Sequence, residues 1–543
     1  MKITSLLNKI FFSTWFLALI PAFLIVIILP SIGSKYTLQI ESRDKNYAQD
    51  IYVDLNSDSI SEVIRTGKGI PYFHILVLDN DFRVYDQWNL KDSIDYDMSH
   101  VFFGNYDNDH YKEMYIFTHK DDSLFLNINE FFDPQGTKLD RIFITKIRVI
   151  NGKVTSYVRP AGFFDVNGDG KGELYFSIAT GFGLEPRRLY YYDIVNSVLK
   201  TSQLTGVICH LPLLVDSDGD GRPEIFGLMS ASGNYKTKVP FTDQSTWLMV
   251  FDEKLNFEFP PVEFPGFTNQ LEIKAYKNGE FKGYLLSHVT GSADTNVIKP
   301  RIMIFSSDGK KIRERLYSDL GLSSYPFLFL LNNMTSDRIF LMGKDLVELN
   351  DELLVINKAK SPFSSGFICY EPDINFDGEK EFLLYSPNVE KLAVFNTSLQ
   401  KIVEAKLKGT TALFKFSHYR SKDQENKLYM NAGDNGYFLQ LKRNNYFFLT
   451  YLIYPGIYLL FFLFILLIRR INTYQVVQKE TLKQRLITLQ LQGIKAQLDP
   501  HFTFNTLNAV ASLIYLEDRQ AAYYYMNKFT QLLRGMLNDA ERI

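Results

Sequence analysis

The sequence predicts a multidomain membrane protein in which an all-β propeller of seven or eight blades lies between two transmembrane helices and precedes a C-terminal α-helical hairpin. Three observations predict this fold class. Two charge-free apolar stretches are long enough to cross a bilayer. An acidic loop recurs five times between them among short strand-like runs, and the residues after the second stretch follow a helical period.

The first apolar stretch, Ile10–Leu29, predicts a transmembrane helix over residues 10–32, after a short N-terminus of residues 1–9. A cleaved signal peptide is the alternative, because Lys2 and Lys9 precede the stretch. Its apolar run is longer than the roughly 7–15 residues of a signal h-region, however, and no A-x-A cleavage site follows, so an uncleaved anchor is favoured.

The second stretch predicts a transmembrane helix over residues 446–468, which Arg469 and Arg470 follow directly. Since basic residues flank the cytoplasmic ends of membrane spans, both termini are expected in the cytoplasm. Residues 33–445 would then form a periplasmic or extracellular domain of a two-pass protein of the cytoplasmic (inner) membrane.

The composition of the chain bears on which partners it can bind and on whether disulfides stabilise it. With 59 basic and 61 acidic residues the net charge is −2, so no strong field favours nucleic acid as a partner. Only two cysteines occur, Cys209 and Cys369, which excludes a scaffold held by several disulfides. Two buried, unpaired thiols are expected.

The outer domain repeats an acidic loop that places oxygen-bearing side chains at positions 1, 3, 5 and 9. The predicted ligands are Asp54, Asn56, Asp58 and Glu62; Asn105, Asp107, Asp109 and Glu113; Asp165, Asn167, Asp169 and Glu173; Asp216, Asp218, Asp220 and Glu224; and Asp373, Asn375, Asp377 and Glu381. Ca²⁺ takes six to eight oxygens, and a tight loop can aim alternate side chains at one centre. The pattern therefore predicts structural calcium.

The five loops differ in how well they match. Those beginning at Asp165 and Asp216 fit best, whereas Ser59 and His110 stand where the first two loops should have glycine, so these two could be weaker or vestigial. Three degenerate copies, near Ala275, Leu330 and His418, raise the number of repeated units to eight.

These loops resemble the FG-GAP/VCBS repeats of integrin-like propellers, and the resemblance covers most of residues 36 to 443. It implies seven or eight blades with calcium loops on one face. The last unit lacks a fourth strand, and Lys35–Ser42 is a strand without a partner at the other end. We expect this N-terminal strand to complete the last blade and so to remove two sheet edges. The extracytoplasmic ligand is not readable from the repeats.

The inner segment begins with a predicted signalling coiled coil over residues 469–498, in which Ile487, Leu491, Ile494 and Leu498 form a heptad seam. A dimerisation hairpin over residues 499–543 follows. Its first helix has an apolar face of Leu507, Val510, Ala511 and Ile514, and His501, Asn505, Asn508 and Ser512 form a polar stripe on a different face. Asp518 is a candidate N-cap of the return helix. Two such hairpins would make a dimeric four-helix bundle.

The stretch Pro500–Asn508 resembles the PHFxFNxLN motif of LytS-like sensor histidine kinases, and residues 532–537 resemble the second helix of their dimerisation domain. Asp499 departs from the asparagine more usual in that subfamily. The resemblance implies that His501 accepts the γ-phosphoryl of ATP and passes it to a response regulator, with Asn505 in a supporting role. A neutral imidazole suits this, because a ring nitrogen can attack phosphorus without a strong base.

The sequence thus favours a homodimeric transmembrane sensor histidine kinase of a two-component system. ATP and Mg²⁺ are expected only with the ATP-binding domain that normally follows these helices in the family. The sequence stops within the second helix at Ile543, so a truncation before that domain is favoured and the chain is not expected to autophosphorylate alone. The alternative is an integrin-like adhesion or scaffold receptor without kinase activity, in which the inner helices only dimerise.

Overall fold

The structure is a computed structural model, and it describes residues 13–28, 35–44, 48–68, 73–90, 92, 101–131, 138–147, 156–180, 185–235, 238–267, 269–290, 299–322, 326–332, 336–364, 366–407, 414–432, 435–497 and 500–540. The chain divides into two compact units. One is Ser34–Asn444, and the other combines Met1–Gly33 with Asn445–Ile543.

The unit Ser34–Asn444 is an all-β propeller, as the sequence predicts. Its strands are β1 (Tyr36–Asp44), β2 (Ala48–Val53), β3 (Glu62–Lys68), β4 (Phe73–Leu78), β5 (Val84–Leu90), β6 (Val101–Gly104), β7 (Glu113–Lys120), β8 (Ser123–Glu130), β9 (Lys138–Lys146), β10 (Ser156–Phe164), β11 (Glu173–Thr180), β12 (Leu189–Asp193), β13 (Val198–Thr201), β14 (Ile208–Val215), β15 (Glu224–Ala231), β16 (Ser245–Leu248), β17 (Val262–Pro265), β18 (Asn269–Asn278), β19 (Phe281–Thr290), β20 (Arg301–Ser306), β21 (Lys311–Leu316), β22 (Phe327–Leu331), β23 (Arg338–Met342), β24 (Asp345–Leu349), β25 (Val355–Lys360), β26 (Ile368–Tyr370), β27 (Phe382–Ser386), β28 (Lys391–Phe395), β29 (Lys401–Lys406), β30 (Phe414–Arg420), β31 (Asn426–Ala432) and β32 (Asn435–Arg443).

The described strands form seven blades. Six are four-stranded antiparallel sheets: β2–β5, β6–β9, β10–β13, β22–β25, β26–β29, and β30–β32 with β1. The seventh has six strands, in the order β14-β15-β18-β19-β20-β21, and β16 pairs only with β17 in a separate ribbon. Half of β15 takes β18 as its neighbour, through pairs from Leu228 with Glu272 to Ala231 with Asn269. The eight units of the sequence therefore make seven blades, because the fourth and fifth share one sheet.

Burial along each blade follows from its position in the ring. The second strands are covered on both faces by neighbouring blades, so all eight residues of β11 are buried. The last strands lie at the rim and alternate, as β25 does with Asn357 and Ala359 half-buried between exposed residues. This places the first strands at the centre, where β10 contacts both β6 and β14, and β2 contacts β30.

The propeller is closed by its N-terminal strand, as the sequence predicts. β1 pairs antiparallel with β32 in continuous register, from Tyr36 with Arg443 to Asp44 with Asn435. Leu38 and Ile40 of β1 pack against the apolar cluster that contains Leu439. Closure by the two ends of the domain leaves β32 without a free edge.

The second unit is helical. Its helices are α1 (Thr14–Ile28), α2 (Thr450–Gln497), α3 (Pro500–Tyr515) and α4 (Arg519–Ala540), with a 3₁₀ turn at Phe447–Leu449 before α2. The predicted second span and coiled coil are one continuous helix of 48 residues. Trp15 of α1 packs against Phe462 of α2 with ring centroids 4.3 Å apart, and the Arg469 guanidinium donates to the Thr14 hydroxyl at 2.9 Å.

Among the described residues, one helical stretch is long and apolar enough to cross a membrane. It is Phe447–Gly493, which consists of the 3₁₀ turn and most of α2. The described part of α1 has 15 residues, which is shorter than the about 20 that a span needs. The ends of the predicted first span, residues 10–12 and 29–32, lie outside the described residues.

Both cysteines are free, as expected. Cys369 is buried, and Cys209 is partly buried as a whole residue. Burial raises the pKa of both thiols, so both sulfur atoms are buried as expected.

Candidate functional site

Each predicted acidic loop joins the first strand of a blade to the second. The loops connect β2 to β3, β6 to β7, β10 to β11, β14 to β15 and β26 to β27. Their backbone folds nearly alike: in all five, the N–H of position 7 donates to the carboxylate of position 5 at 2.6 to 2.9 Å. The structure therefore brings the four predicted side chains of each loop onto one tight turn.

Position 1 closes four of the five loops. Its carboxylate accepts the N–H of position 6, with distances of 3.0 Å at Asp54, 2.7 Å at Asp165, 3.0 Å at Asp216 and 3.0 Å at Asp373. Position 6 is left-handed in these four loops, which suits glycine. Ser59 takes the same conformation at φ 69°, at a cost that glycine would not have.

The Asn105 loop closes differently. Its left-handed described residue is Asn108 at φ 57°, and the amide of Asn105 donates to the carbonyl of Asp109 at 2.6 Å. His110 at position 6 therefore needs no left-handed conformation. The side-chain oxygens of Asp107, Asp109 and Glu113 nevertheless lie within 4.8 Å of one another.

The glutamate at position 9 is the buried member of every loop. Its carboxylate accepts the N–H of position 2, at 2.8 Å from Leu55 to Glu62 and 2.9 Å from Ile374 to Glu381. Burial raises the pKa of Glu62, Glu113 and Glu381 to about 7, and it also raises the pKa of the corresponding glutamates in the other two loops, Glu173 and Glu224. A bound cation would offset the cost of these buried carboxylates.

The oxygens of these loops fit a hard cation. The Oδ1 atoms of Asp54, Asn105 and Asp373 are buried and accept no hydrogen bond from the described part of the chain. In the fourth loop, oxygens of Asp216, Asp218 and Glu224 lie within 4.8 Å of one another. Buried, unpaired oxygens are costly unless a partner fills the site, and Ca²⁺ coordinates this kind of donor.

The second candidate site is at the start of α3, which begins at Pro500, a residue suited to the first turn of a helix. His501 is exposed, and the side-chain nitrogen of Asn505, one turn later, lies 3.1 Å from both imidazole nitrogens. Asn508 and Ser512 of the predicted polar stripe are also exposed. The imidazole is thus reachable from solvent and held in contact with one neighbouring amide.

The hairpin around this histidine has the predicted turn. The Asp518 carboxylate accepts the N–H of Ala521 at 3.0 Å, which confirms it as the N-cap of α4. Val510 of α3 and Ala522 of α4 are buried, at 4% and 6% exposure. Leu507 and Ile514, which the sequence assigns to the same apolar face as Val510, keep 41% and 61% exposure in this single chain.

Sequence reasoning missed one cluster inside the propeller. A cavity of about 550 Å³ lies among the strands β14, β18 and β22, and Leu211, Glu272, Lys274 and Phe327 contribute to its wall. These residues come from three strands far apart in the chain. A local motif therefore could not have pointed to them, and the only sequence signal is the row of apolar residues at Leu211, Leu213 and Val215.

Comparison with solved structures finds matches of low sequence identity. The structure is similar to the Dos1 propeller, with 10% identity and a TM-score of 0.42, over 74% of this chain and 94% of that chain. It is also similar to virginiamycin B lyase from Staphylococcus aureus (8% identity, TM-score 0.33, 75% of this chain and all of that chain) and to the V. cholerae biofilm matrix protein Bap1 (13%, 0.33, 73% and 77%). No curated protein matches the chain.

The helical segment has a family match. Residues 489–543, which contain the end of α2, the helix α3 with His501, and α4, match the model of the histidine kinase family.

Proposed function

We propose that the chain is a transmembrane sensor histidine kinase of the LytS-like subfamily, which senses an extracytoplasmic signal with its propeller and carries the phosphoacceptor His501. The observation that carries this proposal is that the segment matching histidine kinases contains an exposed histidine on the first turn of a helix. Exposure matters because a phosphoacceptor must meet an ATP-binding domain and then a response regulator in turn.

The phosphoryl step needs one imidazole nitrogen with a free lone pair. That nitrogen attacks the γ-phosphorus of ATP, the bond to the β,γ-bridging oxygen breaks, and ADP leaves with the electron pair. The side-chain amide of Asn505 lies 3.1 Å from both ring nitrogens. Its two terminal atoms exchange by a half-turn of the amide, so its oxygen can accept the imidazole N–H. The nitrogen without the proton is then the one that attacks, and Asn505 acts as a positioning residue.

The uncovered apolar side chains of the hairpin support dimerisation. Leu507 and Ile514 of α3 and Met526 of α4 are exposed in one chain, and a second copy would cover them in a four-helix bundle. The continuous helix α2 leads from the apolar segment directly to the residues before His501. A shift of paired α2 helices would therefore carry a signal to the phosphoacceptor.

Calcium belongs to this proposal as a structural ion of the propeller. Asp165, Asp216 and Asp373, with the other ligands of their loops, would hold the ion. Its positive charge would compensate the negative charge of the buried glutamates. A two-pass topology in the cytoplasmic membrane, with the propeller outside, also remains part of the proposal. The apolar helix containing residues 447–493 supports one of the two spans.

Phosphotransfer from a histidine-kinase ATP-binding domain tests the kinase assignment. The purified chain, the separately supplied domain, Mg²⁺ and γ-labelled ATP should give acid-labile phosphate on the chain. His501→Gln should abolish this label, and Asn505→Ala should lower the initial rate about tenfold, the value of one hydrogen bond. His418→Gln, which changes an exposed histidine of the propeller, is the matched control and should label like the parent.

An integrin-like adhesion or scaffold receptor is the second candidate, because the propeller with its acidic loops would serve it equally well. It predicts no acid-labile phosphate under these conditions. Label that persists in His501→Gln would also count against the kinase assignment, since the phosphate would then be elsewhere.

A further inference from the structure

The cavity inside the propeller exposes apolar side chains where a folded domain usually buries them. Leu211 and Leu213 of β14 and Phe327 of β22 are 53%, 41% and 37% exposed, and all three line the cavity. Its volume of about 550 Å³ is within the range of about 300–1,000 Å³ typical of small-molecule sites. The apolar area is thus arranged as a concave wall and not as scattered surface residues.

The backbone is irregular at this wall. The ladder between β14 and β15 is interrupted between Cys209 and Pro212, and this bulge presents Leu211 to the cavity. Gly227 lies opposite the bulge, where an added Cβ would come within 2.0 Å of the Leu211 carbonyl oxygen. The same blade is the one in which two sequence units share a six-stranded sheet. Bulges of this kind are common next to binding sites, because they redirect a side chain.

A carboxylate and an ammonium group also line the cavity. Glu272 and Lys274 are two residues apart on β18, so they share one face of the strand. The Lys274 Nζ atom is 3.4 Å from Glu272 Oε1 and 5.7 Å from the centroid of the Phe329 ring. Burial raises the pKa of the Glu272 carboxyl, and the charge of the nearby Glu371 raises it further although Lys274 opposes this. The ionised carboxylate would gain from an additional cation.

We propose that this cavity binds a small amphipathic amine, whose apolar body packs on Leu211, Leu213 and Phe327 while its ammonium group bonds to Glu272. Glu272 lines the cavity, and the negative charge of Glu371 acts on its carboxyl group, which favours a cation over an anion. When the ligand's ammonium group replaces Lys274 at the Glu272 carboxylate, Lys274 can still make a cation–π contact with the ring of Phe329. The inference rests on the proposed function only for its consequence, that occupancy of the cavity is a signal.

Calorimetry on the full chain in phosphatidylcholine nanodiscs tests the proposal, with 2-phenylethylamine, 2-phenylethanol and phenylacetate as probes that share one apolar body. The amine should bind at least about tenfold more tightly than the alcohol, because a charge-assisted hydrogen bond to a carboxylate is worth that much. Glu272→Gln should remove this preference and leave the alcohol unchanged. Leu211→Ser, at an exposed position, should weaken both ligands.

Glu314→Gln is the matched control, because Glu314 is a similarly half-buried strand glutamate that pairs with Arg301 at the outer edge of the same blade and does not line the cavity. It should bind the amine like the parent. Phenylacetate binding more tightly than the amine, an amine affinity unchanged in Glu272→Gln, or no binding of any probe at millimolar concentration would each overturn the proposal. Binding is measured without phosphoryl transfer, so a chain that binds the amine but never labels His501 contradicts only the kinase assignment.

Discussion

Calcium removal should lower the thermal stability of the propeller by an amount that the number of occupied loops sets. An ion present at a hundredfold its dissociation constant stabilises the folded state by about 2.7 kcal/mol per site. The two loops with the best sequence match, at Asp165 and Asp216, would together contribute about 5 kcal/mol. Unfolding entropy near 2.1 cal/mol/K per residue gives about 0.9 kcal/mol/K for the roughly 410 residues of Ser34–Asn444.

These two values predict that the midpoint of unfolding falls by about 6 °C when two loops lose calcium, and by about 15 °C if all five are occupied. Near-UV circular dichroism of the full chain in nanodiscs, heated at neutral pH in metal-free buffer and with millimolar calcium chloride, measures the difference. Magnesium at the same concentration should restore less of the loss, because it demands a smaller, octahedral site.

A single substitution sharpens the test. Asp216→Asn keeps one oxygen, which can accept the N–H of Gly219 or of Gly221 but not both, and it removes the charge. It should therefore lower the calcium-dependent shift by one site, about 3 °C. Asp319→Asn, at an exposed acidic residue outside the five loops, should leave the shift unchanged. The reasoning fails if the midpoint is the same with and without calcium, or if Asp216→Asn keeps the full shift.

Three further predictions concern the folded propeller. Ile40→Asp puts a charge into the closing strand and should lower the free energy of unfolding by about 2 kcal/mol or more, whereas Gln39→Asp, on the exposed face, should change it little; equal losses in denaturant titrations would contradict closure by β1. His288 is 1% exposed, and burial lowers its pKa to about 4, so protonation favours the unfolded chain as pH falls from about 6.5 to 4. The free energy of unfolding should fall by about 3 kcal/mol by pH 4 because of His288. The variant His288→Leu should lack this loss. If parent and variant lose the same free energy between pH 6.5 and 4, the prediction is wrong. Gly104→Ala would place its Cβ 2.1 Å from the Phe163 ring and should cost about 1–3 kcal/mol, which the added substitution Phe163→Leu should partly restore in the same titration.

The repeated part of the fold was predictable because each repeat carries its own local instructions. The acidic loops predicted where the first strand of a blade turns into the second: β3, β7, β11 and β15 each begin at the loop glutamate at position 9, and β27 begins one residue after it. The strand Lys35–Ser42, which has no partner near it in the sequence, predicted closure. The last blade lacked a strand, and pairing the two ends of the domain removes both unpaired sheet edges. Asp518 likewise predicted the start of α4.

The blade count and the inner cavity were not predictable in this way. Whether β15 takes β16 or β18 as its neighbour depends on pairings between residues about forty positions apart, and the sequence of β15 suits either neighbour. The cavity has the same origin, since Leu211, Glu272 and Phe327 meet only after three units have been arranged around one centre. The sequence also did not show how the Asn105 loop accommodates His110, which it does by closing through the Asn105 amide; that this loop binds calcium more weakly stays a prediction.

The sequence by itself therefore determined the features that neighbouring residues specify: the repeat, the turn of each acidic loop, the apolar helix, and the polar face on which His501 stands. The tertiary structure alone decided how many blades the repeats make, which oxygens are left buried without a hydrogen bond, and which side chains face the inner cavity. The physical reason is range. Turn geometry and helical periodicity depend on contacts within a few residues, whereas sheet partners and cavities depend on contacts between segments that the chain keeps far apart.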